Sequence, residues 1–264
     1  MINFVEGNAV DKLAELLNTQ LRWCYCLTSV PYYSQIDYGF EQQLGLEPTS
    51  NAYIEAMASV FHLIYQGMDE GGVLWLNIQD TINGYSTVRA GGRRQGNVSF
   101  RRKPEEGYRS GEPLRIPERL TERLCQQGWF LLETKIWDKG QSSQPHRGQR
   151  TGTTHESIIV MGKSRYSRPK LHIRADVETV LRIALTKHRN HPCPMPYDLA
   201  HRLLSCATRD RATLIDPFCG TGTSLIAAHD YAYDAIGIDL DIGIAQEEVR
   251  LKCTDIFWGI SRYA

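Results

Sequence analysis

The chain is expected to fold as an α/β domain around a parallel sheet. Two observations predict this. Apolar runs of strand length alternate with amphipathic stretches at helical spacing. Near the carboxyl end, an apolar strand closes on an acid, followed by a glycine-bearing turn and a helix.

In chain order, Val10, Leu13, Leu16 and Leu17 recur at helical spacing within 8–20. The run Trp23 to Thr28 reads as a buried strand that ends at Ser29-Val30-Pro31-Tyr32. Tyr53, Met57, Val60, Phe61 and Ile64 predict a helix over 51–68, closed by Asp69-Glu70-Gly71-Gly72. Val73 to Ile78 follows as a strand. From 81 to about 117 the pattern breaks into glycines and arginines, and a loop of that length in a compact domain carries function or moves. Regular structure resumes with a helix over 117–128 and a strand over 129–137. A polar loop at 139–152 precedes a strand at 156–161, and a basic, irregular stretch covers 163–190. A helix at 196–207 leads into the strand Thr213-Leu214-Ile215-Asp216.

Length and composition suit one domain over 1–264: 42% of residues are hydrophobic and 23% charged, enough to bury a sizeable core. Lys plus Arg and Asp plus Glu both number 30, so any polyanionic partner must be met by local patches. The seven cysteines form no CxxC array and read as reduced, mostly buried thiols. His146, His155, His188 and His191 have no metal-ligand spacing, so no metal is expected. The start lacks a signal-peptide pattern, and no apolar run reaches membrane-spanning length. A cytoplasmic protein without a membrane partner is the expectation.

Asp216-Pro217-Phe218-Cys219-Gly220-Thr221-Gly222-Thr223-Ser224 is the most informative segment. Gly220 and Gly222 let the backbone approach a ligand, and the helix after them offers free N–H groups. Asp239 ends the next strand, where an acid can accept two ribose hydroxyls. Asp216, placed before the glycines, would repel a pyrophosphate and suits a ligand with an ammonium and a sulfonium. GxGxxG is absent, which argues against a dehydrogenase.

This segment resembles the DPFxGxGT cofactor motif of class I methyltransferases, in the form typical of DNA amino-methyltransferases. Thr28-Ser29-Val30-Pro31-Tyr32-Tyr33 resembles their (D/N/S)-P-P-(Y/F) catalytic motif. The catalytic motif comes first, the order of the permuted β group. Val5-Glu6-Gly7-Asn8, Leu74 to Asp80, Ile136-Trp137-Asp138-Lys139, His155 to Val160 and His191 to Ala200 also match, so the resemblance spans nearly the whole chain. It departs at Val30, where a proline is usual, and at Asn8, where an acid often contacts the cofactor's adenine.

The resemblance implies a circularly permuted, Rossmann-like mixed sheet and S-adenosyl-L-methionine as cofactor. Asn8, Asp216, Pro217, Phe218, Gly220, Gly222, Thr223, Ser224 and Asp239 would hold that cofactor. It implies a double-stranded DNA substrate whose target base flips out of the helix. Ser29 Oγ and the Val30 carbonyl would accept from the target amine, Tyr32 would stack on the base, and Pro31 would fix the chain between them. Serine at the first catalytic position goes, within this family, with cytosine N4; adenine N6 is the alternative. A cognate restriction endonuclease is the implied functional partner. The loops at 81–115, 139–152 and 163–190 are candidate DNA-contacting segments, and within the first of them Arg93, Arg94, Arg101, Arg102 and Lys103 are candidate contacts, to bases or to phosphates. The alternative from another class is a silent DNA-binding module that kept the fold.

Overall fold

A computed structural model describes residues 1–85, 87–90, 99–140, 153–165, 178–189, 191–207 and 210–253. The elements run β1 (Ile2–Glu6), α1 (Ala9–Asn18), β2 (Trp23–Ser29), β3 (Ile36–Asp37), α2 (Ser50–Gly67) and β4 (Met68–Ile78). There follow β5 (Thr87–Ala90), β6 (Ser99–Arg101), α3 (Ile116–Gln126), β7 (Phe130–Asp138), β8 (His155–Gly162) and β9 (Val180–Arg182). The chain continues through α4 (Tyr197–Leu204), β10 (Thr213–Asp216), α5 (Thr223–Asp230), β11 (Asp234–Asp239) and α6 (Gly243–Lys252).

Eight strands form one mixed sheet in the order β1-β11-β10-β2-β4-β8-β7-β9. All run parallel except β8, which is antiparallel to both neighbours. The layers follow from the pattern. Leu13 and Leu16 of α1, Tyr53, Met57 and Phe61 of α2, and Leu120 and Leu124 of α3 cover one face. Leu199 and Leu203 of α4, Leu225 of α5, and Ala245 and Val249 of α6 cover the other. Strands buried on both sides must be continuously apolar, which is why β2 and β4 show no alternation.

Two differences from the sequence expectation bear on the site. The 81–115 stretch is not one irregular loop: β5 and β6 pair with each other, and β5 with β3, in a separate three-stranded sheet. The strand β4 also begins directly after α2, taking in Asp69 to Gly72, which the sequence suggested as a turn. Among the cysteines, Cys26, Cys206, Cys219 and Cys253 are buried, Cys24 is intermediate, and Cys125 and Cys193 are exposed; all seven are free thiols.

Topology places the site. The crossover after β2 leads to β4 on one side, and the crossover after β10 leads to β11 on the other. The sheet therefore reverses its winding between β10 and β2, and a crevice opens at their carboxyl ends. Asp216 ends β10, Asp239 ends β11 and Ser29 ends β2, so all three arrive there.

Candidate active site

A cleft of about 1270 Å³, open mouth included, joins the two halves. Its lining includes Ser29, Val30, Pro31 and Tyr32 from the end of β2, and Asp216, Pro217, Phe218, Gly220, Thr223, Ser224 and Asp239 from β10 to β11. Of the residues expected at the cofactor, Gly222 alone is not in the wall. It caps α5 from behind at φ 72°, where a Cβ would stand 3.1 Å from Val249 Cγ2.

The turn after β10 is held by its own acids. Asp216 accepts from the Phe218 N–H at 3.0 Å and from the Ser224 hydroxyl. Asp239 accepts from the Gly220 N–H at 2.8 Å and from the Asp241 N–H at 3.3 Å. Gly220 has φ 50°, and a Cβ there would come 3.1 Å from His191 Nε2. Burial pushes the Asp216 carboxyl up to about 6, against the pull of these hydrogen bonds, and the nearby Asp239 adds to the rise. Burial likewise raises Asp239. Among the described residues neither acid has a cationic partner, so this wall suits a ligand that brings positive charge.

Asn8 lines the cleft as expected, but its Oδ1 accepts from the Val10 N–H at 2.9 Å as the cap of α1. Its amide donates to Gln42 O at 3.3 Å. Fixing the entry to α1 is thus a second task for this side chain.

On the catalytic side, the Val30 side chain is buried and its N–H donates to Asn77 O at 3.3 Å. Proline could not make that bond, so valine adds a tether to β4 where proline would add stiffness. The Pro31 carbonyl accepts from Tyr53 Oη at 2.9 Å. Behind the motif lies a polar cluster that the sequence reading assigned no role. Tyr32 Oη donates to Glu156 Oε2 at 2.5 Å and lies 3.1 Å from Ser29 Oγ. Asn77 Nδ2 stands 2.9 Å from Tyr32 Oη, 2.9 Å from Glu156 Oε2 and 3.2 Å from Ser29 Oγ. Lys139, wholly buried, donates to Glu156 Oε1 at 2.9 Å. Burial first, and then the Glu156 carboxylate, push the Tyr32 phenol well above its usual value, which keeps it a proton donor.

The reversed strand explains how these groups meet. Running against its neighbours, β8 starts at the carboxyl edge of the sheet, so Glu156 lies beside Trp137 of β7, two residues before Lys139. The sequence signal was a polar residue interrupting an apolar strand (Asn77) or bounding one (Lys139, Glu156).

His191 also enters the wall, together with Tyr38, whose ring centre is 6.2 Å from its own. Burial, and secondarily His188, hold the His191 imidazole down to about 4, so it is neutral at pH 7. No group of three or more His, Cys, Asp or Glu able to hold a metal occurs among the described residues. Nor does any helix among them have the length and apolarity to cross a membrane.

The candidate DNA contacts divide. Arg93, Arg94 and the side chain of Arg101 lie outside the described residues, and Lys103 is exposed. Arg102 is turned inward. Its guanidinium donates to Leu46 O, to Glu47 O at 2.5 Å and to Tyr33 Oη at 3.0 Å, and sits 5.3 Å from the Tyr33 ring centre. Three residues on, Glu105 accepts from the Ser50 N–H and hydroxyl, both at 2.8 Å, at the start of α2. Arg102 thus clamps this segment onto the chain that follows the catalytic motif. The arginine-rich composition of the region had concealed that structural duty.

The profile of the DNA methylase family matches residues 25–249. The type II methyltransferase M.MwoI of Methanothermobacter wolfeii is 31% identical over 218 residues, 82% of this chain. This chain spans only 29% of that protein's length. M.SmaI of Serratia marcescens is 28% identical over 231 residues, covering 81% of this chain and 79% of its own. Among solved structures, the PvuII DNA methyltransferase, described as cytosine-N4-specific, superposes with TM-score 0.69 at 13% identity, over 97% of this chain and 88% of that one. The M1.HpyAVI–SAM complex gives TM-score 0.62 at 15% identity, over 95% and 100%. At such identities these two likenesses speak for a shared fold, and the profile match over most of the chain carries the assignment: the chain belongs to the N6/N4 DNA methylase family.

Proposed function

We propose that the chain methylates the N4 amino group of a cytosine flipped out of double-stranded DNA, with S-adenosyl-L-methionine as methyl donor. The observation that carries the reading is the cleft itself. It brings Ser29 at the end of β2, the buried Asp216 at the end of β10 and the partly buried Asp239 at the end of β11 into the lining of one crevice.

The residues present fit the cofactor. A buried carboxylate and a partly buried one, with only neutral protein donors, favour a ligand bearing an ammonium and a sulfonium, and Asp239 can also accept from ribose hydroxyls. When bound, S-adenosyl-L-methionine supplies an electrophilic methyl group. Phe218, Gly220, Thr223 and Ser224 would line its site.

The chain's own task is to make a poor nucleophile react. An amine conjugated to a pyrimidine ring has a delocalised lone pair. Acceptors placed around its hydrogens draw the nitrogen toward tetrahedral geometry and stabilise the charge that develops on it. Ser29 Oγ and the Val30 carbonyl are those acceptors. The Tyr32 ring lines the cleft while its hydroxyl is anchored behind, which leaves the ring face to stack on the base. Alignment of amine and methyl donor supplies much of the rest.

Serine at position 29, which within the family goes with cytosine N4, supports cytosine over adenine. The relatives' designation as type II methyltransferases supports a role in restriction–modification, with an endonuclease as functional partner. The test is transfer of a labelled methyl group from S-adenosyl-L-methionine to duplex DNA. Transfer that is lost in Ser29→Ala, with DNA affinity kept, supports the reading. Cofactor binding without transfer to varied DNA sequences would put a silent binding module first.

A further inference from the structure

The cluster behind the catalytic motif allows a count of its protons. Lys139 has only donors, so Glu156 Oε1 accepts from it. Glu156 Oε2 then accepts from Tyr32 Oη. That contact uses the one hydrogen of the phenol, so Tyr32 Oη meets Ser29 Oγ, 3.1 Å away, as an acceptor. The Ser29 hydrogen therefore points inward. The Asn77 amide fits the same arrangement. Turned the other way, its oxygen would face Glu156 Oε2 at 2.9 Å, two acceptors in contact. With two hydrogens and three acceptors in reach, it serves the two at 2.9 Å, and Ser29 Oγ at 3.2 Å is the weakest claim on it.

We propose that Tyr32, through its hydroxyl, together with Asn77, Glu156 and Lys139 are positioning residues that lock the Ser29 hydroxyl hydrogen away from the cleft. Ser29 Oγ then meets the target amine as an acceptor only, with the Glu156 carboxylate behind it at the end of a chain of hydrogen bonds. An untethered serine hydroxyl rotates and presents its hydrogen to the amine about as readily as its lone pairs, which opposes the charge building on nitrogen. The arrangement has a cost: Asn77 Oδ1 is buried without a partner among the described residues, and an ion pair is sequestered. The inference rests on the function proposed above but not on which base is methylated, since both amines carry two hydrogens.

Tyr32→Phe removes the phenol oxygen and keeps the ring. The assay is single-turnover methyl transfer to duplex DNA with S-adenosyl-L-methionine saturating, alongside separate titrations of cofactor and DNA. We expect the rate to fall about 10-fold to 100-fold with both dissociation constants within about twofold. In a Ser29→Ala background the same substitution should change the residual rate less than about twofold, because the oxygen it orients is gone. A merely structural phenol would lower the rate by the same factor in both backgrounds, and that result overturns the proposal. So does a Tyr32→Phe rate equal to that of the unsubstituted protein. Asn77→Ala, which leaves the ion pair in place, should show the same dependence on Ser29. Absence of transfer by the unsubstituted protein would instead remove the function, and this inference with it.

Discussion

Asp216 holds the glycine turn after β10 and also works against the stability of the fold. Its carboxyl lies at about 6 in the folded chain against 3.8 when free, and the difference corresponds to about 3 kcal/mol. The sign follows from linkage. Above about pH 6 the folded state carries a buried, ionised Asp216, and the cost is present in full. As pH falls, the folded state takes up a proton before the unfolded one does. The cost is relieved between about 6 and 3.8 and absent below. Asp216→Asn removes the charge. It keeps an acceptor for the Phe218 N–H and leaves the Ser224 hydroxyl able to accept from the new amide. The difference between the folded and the free carboxyl is already net of the charge-assisted bonds, which pull the carboxyl down while burial pushes it up. The variant should therefore be more stable by up to about 3 kcal/mol at pH 7.5 without cofactor, and the gain should fall below about 1 kcal/mol near pH 4. Cofactor affinity should fall about 10-fold to 100-fold, because the ligand's ammonium loses its counter-charge. Urea unfolding at the two pH values, with calorimetric titration of S-adenosyl-L-methionine, measures each term. A variant less stable at pH 7.5, or a stability difference independent of pH, would refute the argument that burial of this acid is sustained for the ligand.

Two further substitutions separate ligand contacts from structural ones. Asp239→Ala should weaken S-adenosyl-L-methionine binding by about 2–4 kcal/mol, from lost ribose contacts and from release of the Gly220 N–H; an unchanged dissociation constant in calorimetry would remove Asp239 from the cofactor site. Arg102→Ala should lower the urea midpoint, by about 2 kcal/mol in stability, and leave the salt dependence of DNA binding as it was. A flattened salt slope with unchanged stability would return Arg102 to the phosphate backbone.

The half of the proposed site built on the glycine turn was legible because it is continuous in sequence. Strand, acid, glycine turn, helix and second acid run from Thr213 to Asp239, and local chemistry fixes each step. Ser29 was legible as the end of an apolar strand, although its pairing with Asp216 in one cleft depended on the family's order of motifs. The small sheet was not legible: β3 has two residues and β6 three, too few for any periodicity. The positioning cluster was hidden for a different reason. Asn77 stands on β4, Glu156 on β8 and Lys139 just past the end of β7, and they converge only because β8 runs backwards, a property of sheet topology that no local pattern encodes. Arg102 misled for the converse reason. A basic residue in a basic stretch looks like a nucleic-acid contact until the carbonyls of Leu46 and Glu47, some 55 residues away in sequence, are seen against it.

Methylation of an exocyclic nitrogen on DNA is expected in the cleft that joins Ser29 to the two acids. Its most direct test is mass spectrometry of nucleosides from duplex DNA of varied sequence after incubation with the protein and deuterated-methyl S-adenosyl-L-methionine. Labelled N4-methylcytosine is the expected product, absent with Ser29→Ala. Labelled N6-methyladenine alone would contradict the assignment of cytosine, and no labelled base would contradict the claim of catalysis itself.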